Sequence, residues 1–183
     1  MLITDLGLNG VKLVHLKVHG DGRGYFMETY RDADWRPILG DGAFIQDNQS
    51  MSTQPGTLRG LHYQCAPLAQ GKLVQPVRGR IYDVAVDLRR NSATFGRHVG
   101  VELAAGDGKQ VFVPEGFAHG FVTLEANTVV TYKVTARYEP SAERGVVWND
   151  PDLAIGWPVT AGAAVLSERD KAWPRLKDVS DLF

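Results

Sequence analysis

In the stretch RIYDVAVDL, residues 80–88, Ile81, Asp83, Ala85 and Asp87 share one parity and Tyr82, Val84, Val86 and Leu88 the other. Such alternation sends side chains to the two faces of a strand, whereas a helix would repeat its apolar positions every three to four residues. Runs of similar character recur as VKLVHLKV, GYFMETY, AFIQDNQS, TLRGLHYQ, GKLVQPV, HVGVEL, QVFVP, HGFVTL and TVVTYKVTARY, rich in Val, Ile, Phe, Tyr and Thr. Turn formers separate them: HGDGRG, QPGT, RGR, AAGDG and PEG. Ten short strands in 183 residues predict one all-β domain covering 1–183, built as a sandwich or barrel. RDADWRPILG and SERDKAW are expected to form the few short helices.

Charge narrows the function. Twenty Lys plus Arg face 21 Asp plus Glu, a formal net charge of -1, so no global field draws the chain to nucleic acid or an anionic membrane. An anionic partner would have to be gripped locally. MLITDLGLNG has no basic stretch leading into an apolar run, and no segment approaches the roughly 18 apolar residues of a membrane span, so a cytoplasmic location is expected. The single cysteine, Cys65, excludes an internal disulfide and a multi-cysteine zinc site, and no neighbouring feature marks it as a nucleophile. Asp83 and Asp87 read as a solvated or hydrogen-bonded face rather than a catalytic pair. His15 and His19 are four apart, a spacing without metal-binding meaning in a strand.

His62, in GTLRGLHYQ, is the histidine whose setting asks for an explanation: core residue, metal ligand or base. GKQVFVPEGFAH runs from Gly108 to His119, and an earlier stretch carries Gly56, His62, Gln64 and, before Gly79, Lys72. These resemble the second and first halves of the cupin signature. A metal-binding cupin would carry His, His, Glu and His, where this chain has His62, Gln64, Lys72 and His119. An amide is a weak ligand and an ammonium repels a divalent cation, so no metal is expected. The charge of Lys72 would instead stand near the ion's place.

Seven further blocks run along the chain: GDGRGYFMETY, FIQDNQSMS, LRGLHYQ, QGKLVQPVRGRIYDVAVDLRRNSATFG, VPEGFAHGF, YKVTARYEPSAERGVVWNDPDLAIGWP and LSERD. In these the chain more closely resembles the dTDP-4-dehydrorhamnose 3,5-epimerase family. The resemblance implies a cupin-type jelly-roll homodimer that uses no cofactor and inverts C3 and C5 of a dTDP-4-keto-6-deoxy sugar nucleotide on the way to dTDP-L-rhamnose. It also implies His62 as base, Asp170 as its partner, Tyr132 as proton donor, Lys72 near the developing oxyanion and His119 as a further pocket residue. Arg23, Glu28, Gln46 and Asn48 fall on substrate-binding positions of the family, as do Arg59, Glu143 and Arg169. The stretch around Arg23 and Glu28 is expected to reach the site across a dimer interface. His19 and Arg169 depart from residues common in the family, an aromatic and a lysine.

These residue types suit the chemistry. A proton beside a ketone is acidic because the anion spreads onto oxygen, which calls for a base on one face, an acid on the other and positive charge at O4. No G-x-G-x-x-G or Walker sequence is present, leaving arginine, whose planar fork matches phosphate oxygens, to hold the diphosphate. Gln46 and Asn48 share strand parity, but Arg59 and His62 are three apart and should point oppositely. Gly60 between them predicts a bulge that restores a common direction. The alternatives are an epimerase acting at C3 or C5 alone, a metal-dependent cupin enzyme and a non-catalytic sugar-nucleotide binder.

Overall fold

Alternating β-branched and aromatic runs become thirteen strands, and the computed structural model describes all of residues 1–183. In chain order these are β1 Leu2–Asp5, β2 Lys12–His15, β3 Val18–Asp21 and β4 Gly24–Met27, followed by helix α1 Asp32–Leu39. Next come β5 Gln46–Ser52, β6 Leu58–Gln64, β7 Lys72–Arg78, β8 Arg80–Asp87 and β9 His98–Ala104. Then follow β10 Lys109–Val113, β11 Phe117–Thr123, β12 Thr128–Val134, β13 Glu143–Gly145 and helix α2 Glu168–Ala172. β1 and β13 are short edge strands, and the run VKLVHLKV divides into β2 and the start of β3.

Six strands form one sheet in the order β1-β2-β10-β7-β12-β5, and five form the other in the order β13-β6-β11-β8-β9. β3 and β4 make a separate hairpin, and every pairing between these strands is antiparallel. Apart from β1–β2 and β8–β9, neighbours in each sheet are not consecutive in the chain, which is the crossing pattern of a double-sheet jelly roll. The inner faces bury Val74, Val111 and Val130 of the first sheet against Ile81, Ala85 and Phe121 of the second. At one end of the sandwich the inward positions turn polar, and there the two sheets enclose a cleft.

Both outer faces are also covered. Trp35 of α1 packs on Val14, Leu73 and Phe112. The segment after β13 lays Val146, Leu153 and Leu176 over Leu61, Val84 and Val86. β8 is therefore buried on both sides, and Asp83 and Asp87 are hydrogen-bonded rather than solvated. No helix is long and apolar enough to cross a membrane.

Candidate active site

The cleft has a volume of about 410 Å³ and takes its walls from both sheets. β6 supplies Arg59 and His62 to the same wall, despite their odd spacing. In the β6–β11 pairing His62 faces His119 and Arg59 faces Phe121, so Gly60 and Leu61 together stand opposite Gly120. That two-against-one count is a bulge, as expected from Gly60. The residue is held to glycine by a φ of 127° and by a Cβ position 2.6 Å from the Gly120 Cα. The Gly60–Leu61 peptide is cis. Leu58, Leu61 and Tyr63 turn outward into the apolar layer, leaving Arg59 and His62 for the cleft.

Two histidine–carboxylate pairs sit side by side on this wall. His62 Nε2 lies 2.5 Å from Asp170 Oδ1, joining residues 108 apart in sequence. Asp170 belongs to α2, where Ser167 caps the helix by accepting from the Asp170 N–H and donates its hydroxyl to Asp170 Oδ2. Burial works to raise the Asp170 pKa, but the hydrogen bonds from His62 and Ser167 outweigh it and hold the carboxyl below its ordinary range. With Asp170 ionised, the Nε2–H tautomer of His62 donates to it and leaves the Nδ1 lone pair without a partner. Next to it, His119 Nε2 pairs with Asp83 Oδ2 at 2.8 Å, and Asp83 is 1% exposed. Asp83 Oδ1 has no partner.

The facing wall carries Lys72 from β7 and Tyr132 from β12, both on the inward parity of Val74 and Val130. Burial lowers the Lys72 pKa to about 8, with Glu143 and Asp83 acting the other way. Its Nζ donates to the His62 carbonyl at 3.4 Å, spanning the gap between the sheets. The Tyr132 phenol is pushed above its ordinary pKa, first by burial and then by the charge of Glu143, with Arg59 opposing. Tyr132 and His62 thus reach one cleft from opposed sheets, the phenol held in its protonated form by burial.

A polar rim follows. Arg169 donates to Glu143 Oε2 at 2.5 Å, and the Tyr138 hydroxyl donates to the same oxygen at 2.9 Å. The Tyr138 N–H reaches Gln46 Oε1 at 3.0 Å, and Gln46 Nε2 reaches Asn48 Oδ1 at 2.8 Å. Arg59 is braced by Ser52 Oγ and the Met51 carbonyl.

Ten of the twelve expected residues line this one cleft. Arg23 and Glu28 do not: Arg23 lies on the β3–β4 turn, its side chain 91% exposed and paired with Asp21, and Glu28 pairs with Arg31. Gln64 faces away, its amide donating to the Leu68 and Arg137 carbonyls and its Oε1 accepting from the Glu139 N–H. With Gln64 so engaged and an ammonium beside His62, the cupin ligand positions do not suit a divalent cation. No group of three or more His, Cys, Asp or Glu is placed to hold one. Sequence reasoning missed Ser50, Gln70, Phe121, Tyr138 and Ser167 as cleft residues. Ser50 shares the parity of Gln46 and Asn48 and was within reach of that argument; Tyr138 and Ser167 lie in irregular segments that carry no parity.

Comparison with known proteins assigns the family. The family model described as dTDP-4-dehydrorhamnose 3,5-epimerase matches residues 5–178. The chain is 48% identical over 183 residues to a dTDP-4-dehydrorhamnose 3,5-epimerase of Sinorhizobium fredii, covering 100% of this chain and 93% of that one. It is 47% identical over 184 residues to the Pseudomonas aeruginosa protein of the same name, covering 100% and 99%. Among solved structures, the dTDP-6-deoxy-D-glucose-3,5-epimerase of Legionella pneumophila in complex with dTDP-4-keto-L-rhamnose superposes with a TM-score of 0.92 at 41% identity, covering 98% of this chain and 94% of that one. Matched over nearly its whole length in sequence and in fold, the chain belongs to the dTDP-4-dehydrorhamnose 3,5-epimerase family of carbohydrate isomerases.

Proposed function

We propose that the cleft holds the sugar of a dTDP-linked 4-keto-6-deoxyhexose between the two sheets and inverts C3 and C5 by proton transfer through an enolate. The observation that carries this reading is the placement of His62–Asp170 on one wall and Tyr132 on the other. His62 Nδ1 removes the proton α to the C4 ketone, and Asp170 stabilises the imidazolium that forms. The electron pair moves onto O4, where the Lys72 ammonium balances the charge without a metal or other cofactor. Tyr132 then delivers its proton to the opposite face of the same carbon, and solvent restores both residues. The cycle runs once at each carbon. His119, held by Asp83, and Asn48 position the ring hydroxyls.

The diphosphate falls to the guanidinium groups at the mouth, Arg59 and Arg169, with Gln46 and Glu143 toward the nucleoside. Arg23, on the β3–β4 turn, and Glu28, just after β4, complete the site from a second copy, making the working unit a homodimer. The same hairpin supports that reading, since Tyr25 and Phe26 are 56% and 70% exposed on the free chain. A reducing, cytoplasmic setting suits the free thiol of Cys65.

Turnover of dTDP-4-keto-6-deoxyglucose in deuterated water tests the proposal. NMR should show deuterium at both C3 and C5 and the L-rhamno product. Label confined to one carbon would establish a mono-epimerase, and binding without label would establish a non-catalytic module.

A further inference from the structure

One aromatic ring beside the base has no part in the chemistry above. Trp173 ends α2, three residues after Asp170, and does not line the cleft. Its ring centroid lies 6.0 Å from that of His62, with the planes at 68°. Gly145 makes this approach possible. Gly145 is the cross-strand partner of His62, and a Cβ there would fall 2.4 to 2.7 Å from three atoms of the indole. The ring therefore lies flat on the bare backbone of β13. The indole Nε1 is buried with no hydrogen-bond partner, so packing alone keeps the ring there. The backbone behind it is fixed, with the Val147 N–H donating to the Pro174 carbonyl at 2.8 Å.

We infer that Trp173, seated on Gly145, is a positioning residue for His62, fixing the plane of the imidazole while Asp170 fixes its tautomer. The inference rests on His62 as the base. A hydrogen bond to Nε2 leaves the ring free to swing about that contact, and such a swing moves Nδ1 away from the carbon it must reach. An edge-to-face neighbour stops it. α2 thus delivers two restraints to one ring from a single turn of helix.

Four variants of the full-length protein test this, with kcat and KM measured on dTDP-4-keto-6-deoxyglucose. Trp173→Leu fills space without a ring face and should lower kcat roughly two- to tenfold with KM within about twofold, the range of an aromatic pair converted to rate. Trp173→Phe loses no hydrogen bond and should recover most of kcat. Gly145→Ala leaves Trp173 in the chain but pushes the indole off its seat, and should lower kcat similarly. The double variant Trp173→Leu/Gly145→Ala should be no slower than Trp173→Leu alone, because Gly145 acts only through the indole.

Imidazole ¹⁵N NMR on the ligand-free protein reports the ring directly. His62 should show one Nε2–H tautomer with a sharp signal in the wild type, and a broadened signal in Trp173→Leu and Gly145→Ala. Should Trp173→Leu fail to fold, Gly145→Ala decides by the same signal. Wild-type kcat and a sharp His62 signal in the folded variants, or additive losses in the double variant, would overturn the inference. Full turnover by His62→Ala would instead overturn the base assignment, a result that the ligand-free NMR signal keeps separate.

Discussion

Replacing Lys72 by methionine should make the protein more stable and far less active. Burial depresses the Lys72 pKa from 10.5 to about 8, so at neutral pH the folded chain bears a cost of roughly 3 kcal/mol for keeping that ammonium. Methionine has similar length and no charge to desolvate. Against this gain stands the bond from Nζ to the His62 carbonyl, long at 3.4 Å and worth about 1 kcal/mol. The net expectation at pH 7 is stabilisation by about 2 kcal/mol. Its pH dependence is diagnostic. Because the folded-state value lies below the unfolded one, the unfolded chain binds the extra proton between about pH 8 and 10.5, and wild-type stability rises with pH across that window. The advantage of the variant is therefore complete below pH 8 and fades above it. Activity should move the other way, with kcat falling about 10²- to 10³-fold on loss of one charged oxyanion donor. In the wild type, kcat/KM should decline as pH rises through about 8, a limb that belongs to Lys72 because burial holds the Tyr132 phenol protonated there. Urea unfolding at pH 7 and pH 10, with initial rates on the same samples, measures both sides. A variant less stable than wild type at pH 7 would rule out the burial cost, and undiminished kcat would rule out the oxyanion role of Lys72.

Asp170→Asn should lower kcat by roughly 10²- to 10⁴-fold, since an amide admits the wrong imidazole tautomer; an unchanged rate would remove Asp170 from the mechanism. The same substitution should lower stability at neutral pH but not at low pH, because a depressed carboxyl stabilises the fold above its unfolded value of 3.8 and loses that contribution as pH falls through its folded one. Ser50→Ala should raise KM several-fold while leaving the melting temperature unchanged, because the Ser50 hydroxyl lines the cleft, is buried and has no partner in the free protein. A drop in melting temperature would mark it as structural instead. Gly60→Ala should cost about 3 kcal/mol or more in chemical denaturation, since the new Cβ meets backbone of Gly120 that cannot move aside.

The fold was legible because strand alternation is local. RIYDVAVDL announces β8 by itself, and the odd separation of Arg59 and His62 around Gly60 was enough to locate the bulge. What failed was information held in tertiary contacts. β1 and β13 are too short to show a period, and the burial of both faces of β8 depends on a C-terminal segment with little regular structure. The site divides the same way. His62, Lys72 and His119 stand out from apolar strands or match a spacing, and a reader of residues alone can ask what they do. Asp170 and Trp173 reach His62 from a five-residue helix more than a hundred positions away, and only resemblance pointed to the first while nothing pointed to the second. Arg23 and Glu28, expected at the site from resemblance alone, lie outside the cleft and pair with Asp21 and Arg31.

In the proposed mechanism an imidazole and a phenol serve opposite faces of one sugar ring from two opposed sheets. Deuterium uptake and inversion, followed together by NMR in the His62→Ala and Tyr132→Phe variants, test it most directly. Without the imidazole, neither C3 nor C5 should take up label; without the phenol, label should enter while inversion falls sharply. Exchange at wild-type rates in His62→Ala, or full inversion in Tyr132→Phe, would rule out this pair as base and acid.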